Sequence, residues 1–488
     1  MNEKSSDLLI VIDDREWVPE VLRTIVGERR YGDIQLRRQK LYDTLIKNLP
    51  DWSKNKVMHL RNNVDCVALH NQLSNSPTRV PIFIISTRAA FLNPTDLGKL
   101  VSRLPYAYED FTDKRYQPLL VYFHDMHGLL DDWELFANTP ITSWEKSWKD
   151  VPYLEVNLPL DLKSISNFLQ YSSGATETRH FNSVEIDKLY YTKSSTDRKK
   201  MEAEYRFYHL APERMKPWFV ETFDYKDSAD HGSYRMMRYY FADAALQWIH
   251  EAFTAESFAS FVERLMIFIA DRPTKDAPYD EILKVTRSLF VDKVEKRIEQ
   301  FLASDVGRNI NAQLNACGEA FGIESLKNRY LKNYEKSEQS ILSDSLSFGH
   351  GDPCFSNILY DQTHHFLKFI DPKGAVEEKQ LWTHPIYDLC KISHSILGDY
   401  DFINNDLFQV SFDHNNSLKL TAGTAYNNEL KSIFLNELDK RKIDVKIMRL
   451  CEASLFLSML PLHSDHPNKV MAFILTAKKI LDEVECER

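Results

Sequence analysis

His350-Gly351-Asp352-Pro353-Cys354-Phe355-Ser356-Asn357-Ile358-Leu359, followed by Phe369-Ile370-Asp371-Pro372, is the stretch on which the reading of this chain turns. Asp352 and Asn357 sit on one loop that runs into a short strand, and Asp371 closes the apolar run Phe366-Leu367-Lys368-Phe369-Ile370. A carboxylate receives a proton from an attacking hydroxyl, while an amide oxygen and a second carboxylate are the hard ligands that Mg²⁺ takes beside phosphate oxygens. Together these are the needs of phosphoryl transfer. A turn in which Asp and Asn merely cap the backbone accounts for either residue alone. It does not account for the joint spacing of the three.

The segment resembles the His-Gly-Asp-x-x-x-x-Asn signature of the aminoglycoside phosphotransferase and choline kinase families, whose members share the protein-kinase-like fold. The Asp-to-Asn interval is also that of the protein-kinase catalytic loop. The resemblance implies Asp352 as the catalytic residue, Asn357 and Asp371 as metal ligands, and ATP with Mg²⁺ as cofactors. The chain departs from protein kinases after the second Asp, where Pro372-Lys373-Gly374 stands in place of Phe-Gly. That change is normal for small-molecule kinases and removes the Phe-based switch.

The 488 residues allow two to four domains, and a hydrophobic content of 43% fills sizeable cores. A net charge of −10 argues against nucleic acid as a partner, because phosphate backbones call for clustered Lys and Arg. Six scattered cysteines form no Cys-x-x-Cys pair, so they read as reduced thiols of a cytoplasmic protein. Cys354, inside the key loop, reads as a packing residue. The first apolar run, Leu8–Ile12, is a strand's length and far short of the ~20 residues of a membrane span. No signal peptide is read before it. Glycine is scarce, 14 in all, so phosphate-facing glycines are easy to find. The oligomeric state is not legible.

Residues 1–170 alternate apolar runs with helical patterns. Leu8–Ile12, Val80–Ile85 and Pro118–Phe123 read as strands, with Glu16–Val26 and Asp96–Leu104 as helices, which implies a parallel α/β sheet of Rossmann-like type. The order of elements resembles a nucleotidyltransferase of the glycosyltransferase-A type. The glycine-rich loop after the first strand is missing, and Asp13-Asp14-Arg15-Glu16 puts carboxylates where a triphosphate would lie, so this domain is expected to be silent. His124-Asp125-Met126-His127 reads either as a metal site or as solvated side chains.

Residues 171–243 read as the amino-terminal lobe of the kinase-like part, and 244–488 as a mainly helical second lobe carrying the catalytic loop. Tyr171–Thr178, with Gly174, reads either as the loop that covers the phosphates or as a linker. Leu189–Lys193 reads as a strand, followed by a helix over Arg198–Leu210 capped by the cluster ending in Asp197. In the family a strand Lys contacts the phosphates and pairs with a helix Glu. Those roles fall to Lys193 and Glu204, because Glu204 shares a face with Phe207 and Tyr208. Glu202 is the substitute. Pro217–Phe223 and Tyr234–Tyr240 read as the last two strands, with Met237 and Tyr239 as walls for adenine. Asp388 reads as support for the catalytic loop.

The resulting expectation is an ATP-dependent phosphotransferase acting on a hydroxyl of a sugar, polyol or amino alcohol. The fused arrangement resembles bacterial proteins that make building blocks for surface polysaccharide, capsule or lipopolysaccharide. A pseudokinase scaffold and a bifunctional kinase/nucleotidyltransferase are the alternatives, and a protein kinase ranks last for want of an activation segment. The acceptor is not named by the sequence. Aromatics (Phe355, Trp382, Tyr387, Tyr400, Phe402) suit a quaternary ammonium, whereas Asp399, Asp401, Asn404, Asn405 and Asp406 suit an aminoglycoside.

Overall fold

The computed structural model describes residues 8–76, 79–114, 116–145, 152, 158–173, 182–318, 321–412 and 418–486. The chain divides into two compact units, Met1–Glu177 and Thr178–Arg488.

The first unit is built on a five-stranded sheet with the spatial order Val57–Leu60, Leu9–Asp13, Ile82–Ser86, Leu120–Phe123, Phe111–Thr112. Both faces are covered. Leu9, Val11, Ile84 and Val121 pack on one side, and Ile10, Ile12, Phe83 and Tyr122 on the other. Burial on both faces is why these strands read as unbroken apolar runs rather than alternating ones. The expected all-parallel sheet needs correcting. Leu9–Asp13 is parallel to both its neighbours, but Leu120–Phe123 runs antiparallel to Ile82–Ser86 and pairs with the nearby Phe111–Thr112 as a local antiparallel partner. The edge strand Val57–Leu60 escaped notice because it is short and carries His59. The first helix starts at Glu20, not Glu16. Pro19 explains the difference, since it steers the residue before it away from helical geometry.

The second unit opens with an antiparallel sheet in the order Asn182–Ile186, Tyr190–Ser195, Gly232–Met237, Thr222–Asp227. The helix Arg198–Leu210 follows its second strand, and Asp197 caps it by accepting the Lys200 N–H at 3.1 Å. The strand expected over Pro217–Phe223 begins at Thr222 instead. Pro217 lies in a 3₁₀ turn, and Phe219–Val220 turn aside to bridge Phe369. From Ala244 onward the unit is mainly helical. One core, running from Phe207 and Phe219 through Phe348, Phe369 and the closing helix Pro467–Cys486, joins sheet and helices. Among the described residues no helix is long and apolar enough to cross a membrane.

Candidate active site

The key loop is held at both ends by strands. Ser345–Phe348 leads into it, a 3₁₀ turn Phe355–Asn357 closes it, and the hairpin Ile358–Asp361/Phe366–Phe369 delivers the chain to Asp371. Asn357 donates its side-chain N–H to the Asp352 carbonyl at 2.9 Å, and its own carbonyl accepts the Ile370 N–H at 3.0 Å. His350 donates from Nε2 to the Ile370 carbonyl at 3.1 Å and accepts the Asp352 N–H on Nδ1 at 3.3 Å. These four bonds lock Asp352, Asn357 and the approach to Asp371 into one piece. Gly351, at φ 85, lets the turn form, and a Cβ there would stand 2.6 Å from Lys373 Cβ.

Asp388, fully buried, supports this piece from below. Its carboxylate accepts the His350 and Gly351 N–H groups, each at 2.9 Å, and Arg272 Nη1 at 3.1 Å. The arrangement matches the supporting role read for it.

Lys193 and Glu204 meet as the sequence proposed. Lys193 Nζ donates to Glu204 Oε2 at 2.7 Å and to Asp371 Oδ1 at 2.9 Å. Tyr234 donates its hydroxyl to the same Glu204 oxygen at 2.9 Å. Glu204 is 2% exposed, while Glu202 points outward to Arg206. Burial works against the Lys193 charge, but Asp371 and Glu204 outweigh it and the ammonium pKa is raised. Asp371 itself adopts a left-handed φ of 54, a conformation that Asp tolerates better than most residues.

Asp352 has a partner that the sequence did not disclose. Lys391 Nζ lies 2.9 Å from Asp352 Oδ1. Against the cost of burial, Lys391 holds the Asp352 carboxyl below the usual carboxylate range, and the Lys391 pKa rises in turn. The available signal was spacing: Lys391 stands three residues after Asp388 on the helix Tyr387–Ile396, and so shares the face that supports the loop.

Met237 needs correction as a wall of the site. Lys193 faces Tyr234 across the ladder and Tyr191 faces Met236, so alternation puts Lys193, Tyr234 and Met236 on one face and Met237 on the other. Met237 is 41% exposed, and Met236 lines a small cavity with Glu204, Tyr234 and Asp371. The register was one residue off. Tyr239 lies against Phe366 on the strand leading to Asp371, with ring centroids 6.1 Å apart. Gly174 lies outside the described residues.

A divalent metal fits the donors present. The Asn357 amide is oriented by its N–H bond to Asp352, which leaves its oxygen for a ligand, and Asp371 adds a carboxylate; Mg²⁺ takes one or two carboxylates and completes its shell with phosphate and water. Among the described residues no group of three or more His, Cys, Asp or Glu side chains is arranged to hold a metal. His124 and His127 pair instead with Asp110 and Asp125, at 2.6 and 2.7 Å. Cys354 is buried, and burial pushes its thiol far up, as suits a packing residue.

Phe355, Tyr387 and Phe402 belong to the core, and Asp399 is tied to Lys431 at 2.7 Å. Asp401 is buried, and burial with Asp243 and Asp399 nearby pushes its carboxyl up to about 8.

No protein-family model matches the chain, and no curated protein matches it. Solved structures similar to it include a ternary complex of the aminoglycoside phosphotransferase APH(4)-Ia with AMP-PNP and hygromycin B, at 8% identity and a TM-score of 0.39, over 64% of this chain and 94% of that one. A putative fructosamine-3-kinase from Haemophilus somnus is similar at 12% identity and a TM-score of 0.36, over 66% and 97%. A choline kinase from Cryptosporidium parvum is similar at 11% identity and a TM-score of 0.31, over 66% and 94%.

Proposed function

We propose that the chain transfers the γ-phosphate of ATP to a hydroxyl of a small molecule. The observation that carries this reading is Lys193, a buried ammonium joining Glu204 to Asp371, with Asp352 and Asn357 fixed on the adjoining loop. An ammonium has three donors, so after two carboxylates Lys193 keeps one for a phosphate oxygen. Asn357 and Asp371 are the residues that would hold Mg²⁺, which when bound offsets the negative charge of the phosphates. Asp352 receives the hydroxyl proton and aims the oxygen. With its pKa depressed by Lys391 it stays ionised throughout the neutral range, so its first task is orientation. A place in the synthesis of surface-polysaccharide building blocks rests on the resemblance of the fused arrangement.

The two acidic roles separate by experiment. Asp352→Asn lowers turnover by about 10²–10⁴-fold while nucleotide affinity persists. Asp371→Ala weakens the binding of ATP with magnesium itself, because a ligand of the metal and a partner of Lys193 are both lost. Calorimetric titration with ATP and magnesium reads the difference. Equal loss of binding in both variants overturns the assignment.

A further inference from the structure

Positive charge gathers around Asp352 beyond what a single carboxylate needs. Lys391 already supplies its counter-ion at 2.9 Å. Lys373 packs its side chain over Gly351, the residue before Asp352, since a Cβ built on that glycine would lie 2.6 Å from Lys373 Cβ and 3.2 Å from Lys373 Cδ. Lys293 donates to the Tyr387 hydroxyl at 3.2 Å, and Tyr387 sits one helical turn before Lys391. Neither Lys293 nor Lys373 forms an ion pair among the described residues.

The backbone singles out Lys293 as well. A π-helical turn, Ser288–Asp292, immediately precedes the helix Lys293–Leu302. Such turns insert an extra residue and re-aim the helix that follows, and they gather at functional sites. The charged groups acting on Lys293 are Lys391, Lys373 and Arg297, which repel it, and Asp352, which attracts it; Tyr387 is its hydrogen-bond partner. Burial first, then these like charges, lower its pKa from 10.5 to about 8. Cations held together in a partly desolvated place repel one another, and an anion resting among them relieves the repulsion. An aminoglycoside or a quaternary ammonium in the same place adds to it.

Resting on the phosphotransferase reading above, we propose that the acceptor is an anionic alcohol, a hydroxylated phosphate monoester or carboxylate, whose negative group is held by Lys293 and Lys373 while its hydroxyl faces Asp352. The donor phosphates are served separately by Lys193 and the metal ligands, so the second set of cations is assigned to the acceptor. Lys373 stood in the sequence only as a departure from the protein-kinase pattern, and the lysines are scattered along the chain and meet only in the fold.

The test uses the full chain with ATP, magnesium and a panel of alcohols: glycerol 3-phosphate and sugar monophosphates, sugar acids, neutral sugars and polyols, and choline with aminoglycosides. Phosphorylation is expected in the first or second group, and which of the two is used tells phosphate from carboxylate. Lys293→Gln is expected to raise KM for that acceptor by about tenfold or more, the size of a lost bond to a charged group. KM for ATP stays within about twofold, and Lys293→Arg restores part of the loss. For the unaltered chain, acceptor KM is expected to rise as pH passes about 8, where Lys293 loses its proton. That rise is absent in Lys293→Gln. Preference for neutral or cationic alcohols overturns the proposal while leaving the kinase reading intact. So does a Lys293→Gln effect confined to KM for ATP, which would give the lysines to the donor. Absence of any ATP binding overturns the kinase reading itself.

Discussion

At the scale of single residues, Lys193 shows how little of the site is left to chance. Its ammonium bridges Glu204 and Asp371, and Tyr234 holds the same Glu204 oxygen. Glu204→Gln removes one charge from this buried set and leaves Asp371 alone to balance Lys193. The expected result is a loss of turnover of about ten- to a hundredfold with a modest cost in stability, whereas Glu202→Gln is silent because its partner is the exposed Arg206. Steady-state kinetics of the two variants checks this, and a damaging Glu202→Gln with a silent Glu204→Gln would reverse the assignment. His384 carries a different prediction. Its Nε2 donates to the Ile341 carbonyl at 2.8 Å and its Nδ1 accepts the Ile386 N–H at 3.2 Å, so a second proton would set N–H against N–H. Burial lowers its pKa from 6.5 to about 4, with Arg272 acting in the same direction. Between these values the unfolded chain binds the proton and the folded chain does not, so this group's contribution to stability falls as pH drops from 6.5 to 4. The slope is at most ~1.4 kcal/mol per pH unit for one group. Urea unfolding at pH 7, 6 and 5 should show a smaller acid loss for His384→Gln than for the unaltered chain. Parallel losses would acquit His384.

Among elements, the helix Arg198–Leu210 and the loop after Asp371 are joined backbone to backbone. Ala375 N–H donates to the Ala203 carbonyl at 2.9 Å, and Gly374, at φ 87, lets the loop approach so closely that a Cβ would meet Ala203 C at 2.8 Å. Since Ala203 precedes Glu204, Gly374→Ala should push the helix from the loop and loosen the Lys193 bridge. The expected cost is about 1–3 kcal/mol of stability, from strain at positive φ, with a larger fall in turnover. Turnover unchanged in a folded variant would show that the contact does not position Glu204. The same elements mark what was readable beforehand. The helix over Arg198–Leu210, its Asp197 cap and its Glu204 were legible because capping and helical spacing are local. The register of Gly232–Met237 was not, because Tyr-Arg-Met-Met-Arg-Tyr-Tyr presents a large side chain to either face, and only pairing with Tyr190–Ser195 decides between Met236 and Met237. Lys293 was invisible for another reason, and Lys391 was marked only by its spacing from Asp388. Each reaches Asp352 or its surroundings through a contact distant in sequence, and neither lies in a motif.

On the scale of the whole molecule, the first unit poses the question of a second activity. The carboxylates around the end of its first strand are not loose charges. Asp13 is paired with Arg15 at 2.9 Å, Asp14 with His59 at 3.1 Å and Arg61 at 3.4 Å, and Glu16 with Arg88 at 2.9 Å. Arg15 also donates to the Phe136 and Thr139 carbonyls, Arg30 to the Asp14 and Arg15 carbonyls, and buried Asp14 accepts Gly32 N–H and the Thr87 hydroxyl. The reason for expecting silence therefore changes. It is not repulsion by unopposed acid groups but the commitment of nearby cations to internal partners, which leaves a triphosphate few donors around the end of the first strand. The full chain carrying Asp352→Asn, which removes the proposed kinase step, should release no pyrophosphate from any nucleoside triphosphate offered with magnesium and sugar or polyol phosphates. Pyrophosphate formed by that variant would show that the network opens on binding, and would make the protein an enzyme that both phosphorylates and activates its substrate.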